Sequence, residues 1–405
     1  MKKLESVVLR DICDLLNRGI SPKYSEEGNL ILNQKCIRNN VVSLEVARYS
    51  SLEKKVSPEK YLKLFDILVN STGTGTLGRT AQIKSLDQPT LVDTHITIVR
   101  PNDKVDKVFI ALQLALKEPE IVSLGKGATN QQELGRTELG GIELLLPPLA
   151  IQRKIAFILS AYDDLIANNL KRIKLLEELA QRTYDEWFVK FRINGKQQNI
   201  NAKTGIPDGW SKIKLGEAVD YLSRGVSPKY VEENGIAVIN QKCIRNGIIS
   251  LTQSRLTSSG TKIAQEKYLQ LYDVLVNSTG AGTLGRVAQV THLNQNIIVD
   301  THVSIIRANK TIISPILLGF LIKSQENVIT NMGKGSTNQL ELSRNDLKDL
   351  VEVIVPMMEY QQQFETLIEP TLKLSAKLTA QNLLLKESRD ILLPRLMNNE
   401  IEVDQ

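Results

Sequence analysis

At 405 residues, 42% hydrophobic and 24% charged, the chain has the composition of a globular protein of two to three domains. No apolar stretch approaches the ~20 residues of a membrane span, and the opening Met1-Lys2-Lys3-Leu4-Glu5 leads into no signal-peptide core. Net charge is +6, which permits a polyanionic partner without demanding one, and an odd count of 3 cysteines points to free thiols in a reducing compartment, hence the cytoplasm.

In chain order, the first polar segment is Arg18-Gly19-Ile20-Ser21-Pro22-Lys23-Tyr24, a turn by its Ser-Pro pair. The apolar run Leu30-Ile31-Leu32 then leads into Asn33-Gln34-Lys35-Cys36-Ile37-Arg38-Asn39. Phe65–Val69 is predicted as a strand, stopped by the glycine-rich Ser71–Gly78. Val92-Asp93-Thr94-His95-Ile96-Thr97-Ile98 alternates apolar and polar residues and predicts one half-buried strand. Residues 105–118 read as a helix, followed by Gly125-Lys126-Gly127-Ala128-Thr129-Asn130-Gln131.

From Pro147-Pro148 the period changes. Ile151, Ile155, Ile158, Tyr162, Ile166, Leu170, Ile173, Leu176, Ala180, Tyr184 and Trp187 recur at steps of three or four, which predicts a long helix of coiled-coil type. Polar residues 194–208 follow it.

Then the chain repeats itself. Asn33–Asn39 returns unchanged as Asn240–Asn246; Val69–Arg79 returns as Val276–Arg286 with Thr74 replaced by Ala281; Gly125–Gln131 returns as Gly333–Gln339. The offset runs from 206 to 208 residues, too long for a solenoid repeat of roughly 20–50 residues. Residues 312–323 repeat the short helix. From Pro356, with Gln361 matching Gln152, the positions Leu374, Leu378, Gln381, Leu385, Ser388 and Leu392 hold a second heptad seam. Pro370 predicts a bend in this helix, and Pro394 its end. The resulting fold class is α+β, with two β-rich domains joined by an antiparallel coiled coil of two long helices and an internal approximate two-fold symmetry.

The repeated polar segments carry the candidate chemistry. Gly73–Thr80 approximates a phosphate-binding P-loop, but Arg79 stands where that loop needs lysine, and the second copy (Arg286-Val287) also lacks the magnesium-binding hydroxyl. Its glycine-rich turn, with exposed N–H groups and Arg79, Arg286 and Thr74, suits the phosphates of a nucleic acid, while a tight turn needing positive φ remains open. In the loop from Asn33 to Asn39, the candidate contacts Asn33, Gln34, Lys35, Arg38 and Asn39 put amides, which suit adenine edges, beside an arginine, which suits guanine, with a solvated loop as the alternative. The copies are Asn240, Gln241, Lys242, Arg245 and Asn246. Arg18, Lys23 and Tyr24, with Arg224, Lys229 and Tyr230, form a weaker set. Lys126, Thr129, Asn130 and Gln131, with Lys334, Thr337, Asn338 and Gln339, make a further basic polar loop. Asp93 and His95 have no second ligand at zinc spacing, Ser71 has no nucleophile-elbow context, and no Asn-Pro-Pro-aromatic methyltransferase signature is present. Cys36 and Cys243 read as small buried apolar residues.

Four features together resemble a known family. They are the repeated Asn-Ser-Thr-Gly-x-Gly-Thr-Leu-Gly-Arg, Leu146-Pro147-Pro148-Leu149-Ala150-Ile151-Gln152 at the helix start, Pro207-Asp208-Gly209-Trp210, and Arg389-Asp390-Ile391-Leu392-Leu393-Pro394-Arg395-Leu396-Met397. Over essentially its whole length the chain resembles the specificity subunit of type I restriction–modification systems. That resemblance implies target recognition domains at residues 1–147 and 210–356, a central conserved helix at 148–192, a linker at 193–209, and a C-terminal conserved helix and tail at 357–405. It also implies double-stranded DNA, two methyltransferase subunits and two ATP-driven restriction subunits as partners, with no membrane, no cofactor and no catalysis by the chain itself. Recognition domains within one chain of this family usually differ; here they are near copies. Two such domains about a two-fold axis imply an interrupted, nearly palindromic target, whose spacer should lengthen when a helical turn is inserted in residues 165–180. The alternatives are a phosphate-handling enzyme built on Gly73–Thr80, and a coiled-coil DNA-binding adaptor without methyltransferase partners.

Overall fold

The computed structural model describes residues 4–53, 55–127, 132–335, 340–401 and 403. Chain contacts divide it into two units, Met1–Asn168 with Asn382–Gln405, and Asn169–Gln381. In the first, an antiparallel sheet orders Cys13–Arg18, Ile96–Pro101, Ile67–Asn70 and Thr80–Gln82. A second sheet orders Thr90–Val92, Asn29–Leu32, Arg48–Ser50 and Tyr24–Ser25, the first two running parallel. The other unit repeats both orders with Val219–Arg224, Val303–Ala308, Val274–Asn277 and Val287–Gln289, then Ile297–Val299, Gly235–Ile239, Arg255–Ser258 and Tyr230–Val231.

The central strands Ile67–Asn70, Ile96–Pro101, Val274–Asn277 and Val303–Ala308 are rich in β-branched and aliphatic residues because both of their faces are covered. Successive residues feed two different cores. Leu68 and Ile98 pack with Leu32, Cys36, Ile37, Val92 and Ile96, whereas Ile67, Val69 and Val99 pack with Phe109, Ile110 and Leu114 of the helix Lys107–Leu116. In the second unit Leu275 and Ile305 take one core, and Val274, Val276 and Ile306 the other.

Two strand predictions change. Val92–Ile98 is not one alternating strand: it is the end of Thr90–Val92, a turn, and the start of Ile96–Pro101. Asp93 makes that turn, its carboxylate accepting the His95 N–H at 2.9 Å, a local bond that competes with a sheet ladder. Phe65 is likewise outside its strand, which is Ile67–Asn70; Phe65 adopts φ 70° and Tyr272 φ 71°. The left-handed residue turns the next side chain inward, and Asp66 and Asp273 are almost completely buried.

The first long helix is Leu149–Tyr184, continued by one wide turn over Asp185–Val189; the second is Met358–Met397. Each start is clamped by a buried glutamine. Gln152 accepts from Asp106 N at 2.9 Å and donates to Pro147 O at 2.9 Å; Gln361 accepts from Ser314 N and donates to Pro356 O, both at 2.7 Å. Inside the first unit the helices run antiparallel: Ile155 and Leu159 share a core with Leu396 and Met397, and Asp163 pairs with Arg389 at 2.6 Å. Inside the second they do so again, with Asn169 donating to Gln381 at 3.4 Å and Phe364 edge-on to Phe188 at 5.0 Å.

The seam is not wholly the one the heptads predict. Leu170 and Leu374 are exposed, as are Gln381 and Ser388, while Asn169 and Asn382 are buried. A buried asparagine in a coiled-coil seam costs stability and fixes register, which apolar periodicity alone does not reveal. Pro370 lies within an unbroken helix, and Pro394 does not end it. The helix runs on because Leu396 and Met397 are buried, which offsets the one hydrogen bond that proline removes. The polar stretch after the first helix also holds a short hairpin, Arg192–Ile193 with Lys196–Gln197, and buries Ile193, Ile206 and Trp210.

Candidate nucleic-acid interface

The repeated segments, scattered along the sequence, converge in each unit. Asn70 is the knot. Its side-chain amide donates to Gln34 O and to Thr76 O, both at 3.0 Å, so one fully buried residue ties the Asn33–Asn39 loop to the glycine loop. Asn277 does the same with Gln241 O at 2.9 Å and Thr283 O at 3.0 Å. Thr72 Oγ1 lies 2.6 Å from His95 Nδ1, which brings in the Asp93 turn; Thr279 and His302 repeat the pair at 2.6 Å. Leu134 N donates to Ser71 O at 2.8 Å, and Lys126 N donates to Glu133 O at 2.9 Å. Arg18 completes the ring through Glu133 and through Leu134 O at 2.8 Å. An added Cβ at Gly19 would overlap the Val92 carbonyl oxygen, as at Gly225 with Val299, so only glycine lets this strand end come so close.

The predicted contact residues divide by what they already hold. Asn33 and Asn240 are clamps. Asn33 accepts from Lys35 N and donates to Val46 O, both at 2.9 Å; Asn240 accepts from Lys242 N and donates to Gln253 O, both at 2.8 Å. Asn39 and Asn246 take φ 52° and 53° in the hairpin turns that follow. Several cations face carboxylates: Arg18 with Glu133, Arg224 with Glu341 at 2.6 Å, Lys126 with Glu138 at 2.6 Å, Lys334 with Asp346 at 2.8 Å, and Lys23 with Glu53 at 2.7 Å. The Lys126 and Lys334 ammonium groups hold Glu138 and Asp346 below the usual carboxylate range. Among the described residues, the side chains of Lys35, Arg38, Lys229, Lys242 and Arg245 have no such acidic partner, and Arg38 and Arg245 are exposed. Gln34 and Gln241 lie half-buried beside the glycine loop. Thr129, Asn130, Gln131, Thr337, Asn338 and Gln339 lie outside the described residues.

The glycine loop is not a free nest of amides. Thr76 N and Leu77 N donate to Gly73 O, Gly78 N to Asn70 O and Arg79 N to Thr76 O, so four N–H groups are spent within it. Arg79 folds back on Gly75 O at 2.7 Å and Arg286 on Gly282 O at 2.8 Å. The loop joins two strands of a hairpin, with no helix after it to cradle a phosphate chain. Gly73, Gly75 and Gly78 all adopt positive φ, the reason this turn is glycine-rich. A hydrolase on Ser71 is excluded by geometry: Ser71 is fully buried and faces Thr97 Oγ1, while His95 bonds Thr72.

Composition did not single out Asn70, Thr72 and Glu133, although the first two stand inside the repeated motif. Nor did it single out Arg48 and Arg255, whose guanidinium carbons lie 4.9 Å and 3.5 Å from the ring centroids of Tyr24 and Tyr230. Their spacing of one repeat period was the only signal. Cys36 and Cys243 are buried as predicted, and burial pushes both thiols up.

Asp93 and Asp300 carry a testable cost. Burial raises both carboxyls, against the opposing His95 and His302 N–H bonds. A raised folded-state value makes the ionised form a burden above that value, and the burden vanishes below the unfolded value of about 3.9. Asp93→Asn keeps the acceptor for His95 N and removes the charge. It is expected to match or exceed the parent's stability at pH 7 and to lose that advantage near pH 4 in denaturant titrations. A loss at pH 7 equal to that of Asp93→Ala would contradict it.

A family model described as "Type I restriction modification DNA specificity domain" matches residues 1–178. The type I restriction enzyme MjaIX specificity subunit of Methanocaldococcus jannaschii is 26% identical, covering 69% of this chain and 65% of that protein. The MjaVIII specificity subunit of the same organism is 30% identical over 47% of this chain and 43% of its own length, so the chain spans less than two-thirds of either. The HindI specificity subunit of Haemophilus influenzae is 22% identical over 90% of this chain and 92% of that one. The crystal structure of a type I restriction–modification S subunit from M. genitalium shares the fold, with a TM-score of 0.65, 16% identity, and coverage of 98% and 96%. With its twice-built loop assembly and its paired helices, the chain is similar over most of its length to the specificity subunits of type I restriction–modification systems, and residues 1–178 match the model of their DNA specificity domain.

Proposed function

We propose that this chain reads a two-part DNA sequence for a type I restriction–modification complex and is itself non-catalytic. Residues 1–147 and 210–356 serve as target recognition domains, 193–209 link them, and the helices at 148–192 and 357–405 dock two methyltransferase subunits, with two restriction subunits in the full assembly. The observation that carries the reading is the loop assembly built twice with the same bonds: Asn70 and Asn277 tie the same pair of loops, and beside them Lys35, Arg38, Lys242 and Arg245 have no acidic partner among the described residues. Long-range attraction by the free cations supplies affinity, and amide and guanidinium edges supply base discrimination. Because the two reading faces are near copies, the proposed target is an interrupted, nearly palindromic sequence. Sequencing DNA methylation in a host that expresses the chain with its methyltransferase subunits should return one motif with two related half-sites. Two unrelated half-sites would refute the shared-reader reading.

A further inference from the structure

The two reading faces are the same almost residue for residue, and one of the few differences is informative. Gln34, Lys35, Arg38, Asn39, Thr72 and His95 recur as Gln241, Lys242, Arg245, Asn246, Thr279 and His302. The bonds that place them recur as well, including the Asn70 and Asn277 ties and the 2.6 Å threonine–histidine contacts. At the tip of the glycine loop, however, Thr74 stands where the second copy has Ala281, and both are exposed. The next residue, Gly75 or Gly282, has open space where a Cβ would sit, so among the described residues nothing packs against that position of the tip. Among the described residues, the Thr74 hydroxyl has no partner, so it is available to a base edge as donor and acceptor. Alanine offers only a methyl group.

Nearby differences have other causes. Asn40 and Gly247 occupy the second position of the hairpin turn at φ 59° and 75°, a conformation both residues tolerate. Val46 and Gln253 serve through their backbone carbonyls, which receive the Asn33 and Asn240 amides.

We infer that the Thr74/Ala281 pair makes the two half-sites unequal: one base position is specified through the Thr74 hydroxyl in one half and read loosely beside Ala281 in the other. This rests on the DNA-reading role proposed above. The base specified by Thr74 should be preferred by roughly tenfold, the scale of one lost base contact.

The test uses the full chain with its methyltransferase subunits and methylation sequencing of the host genome, for the parent and for Thr74→Ala, Ala281→Thr and Asn40→Gly. The parent should show half-sites that agree except at one position, degenerate in one half. Thr74→Ala should make that position degenerate in both halves, and Ala281→Thr should specify it in both. Parent half-sites identical at every position would overturn the inference, as would an asymmetry unmoved by both substitutions or abolished by Asn40→Gly. A parent that yields no two-part motif removes the specificity role itself, an outcome distinct from a symmetric motif.

Discussion

Asp66→Ala is expected to cost about 3 kcal/mol of stability, because it removes a wholly buried carboxylate and leaves a largely buried guanidinium without its charge partner. Arg100 grips Asp66 through two parallel bonds, Nε to Oδ1 and Nη2 to Oδ2, both at 2.7 Å, and donates further to Tyr61 O at 2.9 Å. The carboxylate also accepts Lys63 N at 2.7 Å. Arg307 and Asp273 repeat the arrangement at 2.8 Å and 2.7 Å, with Gln270 N on the carboxylate at 2.7 Å. Asp66 and Asp273 are almost wholly buried, so water does not replace a lost partner, and this distinguishes these pairs from exposed ones such as Lys23–Glu53. Replacing both members, Asp66→Leu with Arg100→Met, should cost much less than either single change. Urea titration of the three variants checks this; a loss below about 1 kcal/mol for Asp66→Ala would contradict the buried-pair account.

Arg38→Ala is expected to weaken DNA binding by about 1–3 kcal/mol if the guanidinium reads a base edge, and Arg245→Ala by a similar amount. Both side chains are exposed, lack an acidic partner among the described residues, and stand on the loop that Asn70 or Asn277 holds against the glycine loop. Folding should be untouched, because neither guanidinium makes a bond the unit depends on. Binding measured on matched duplexes, with each base varied and salt titrated, separates two roles. A loss confined to one base position marks base reading. A uniform loss with a shallower salt slope marks a phosphate contact. Arg18→Ala should behave differently and reduce stability as well, since its side chain ties Glu133 and the Leu134 carbonyl to the strand end.

Much of this molecule is written in its sequence. Repetition at an offset of about 207 residues announces two like domains, and steps of three and four residues announce two long helices, because local periodicity follows from the geometry of helix and strand. The loops that carry Gln34, Lys35 and Arg38 were legible for the same reason: a repeated polar segment after an apolar run has few places to go. What only the tertiary structure decided is which polar residues are occupied. Asn33 and Arg38 belong to one loop of seven, yet Asn33 closes on Val46 while Arg38 faces water. Arg18 and Lys35 look alike as cations, but only Arg18 meets a carboxylate, 115 residues away. Asn169 displaces Leu170 from the helix seam through a partner 212 residues away. Hydrogen-bond and ion partners depend on contacts between distant segments, and burial makes them obligatory. Spacing along the chain carries neither fact.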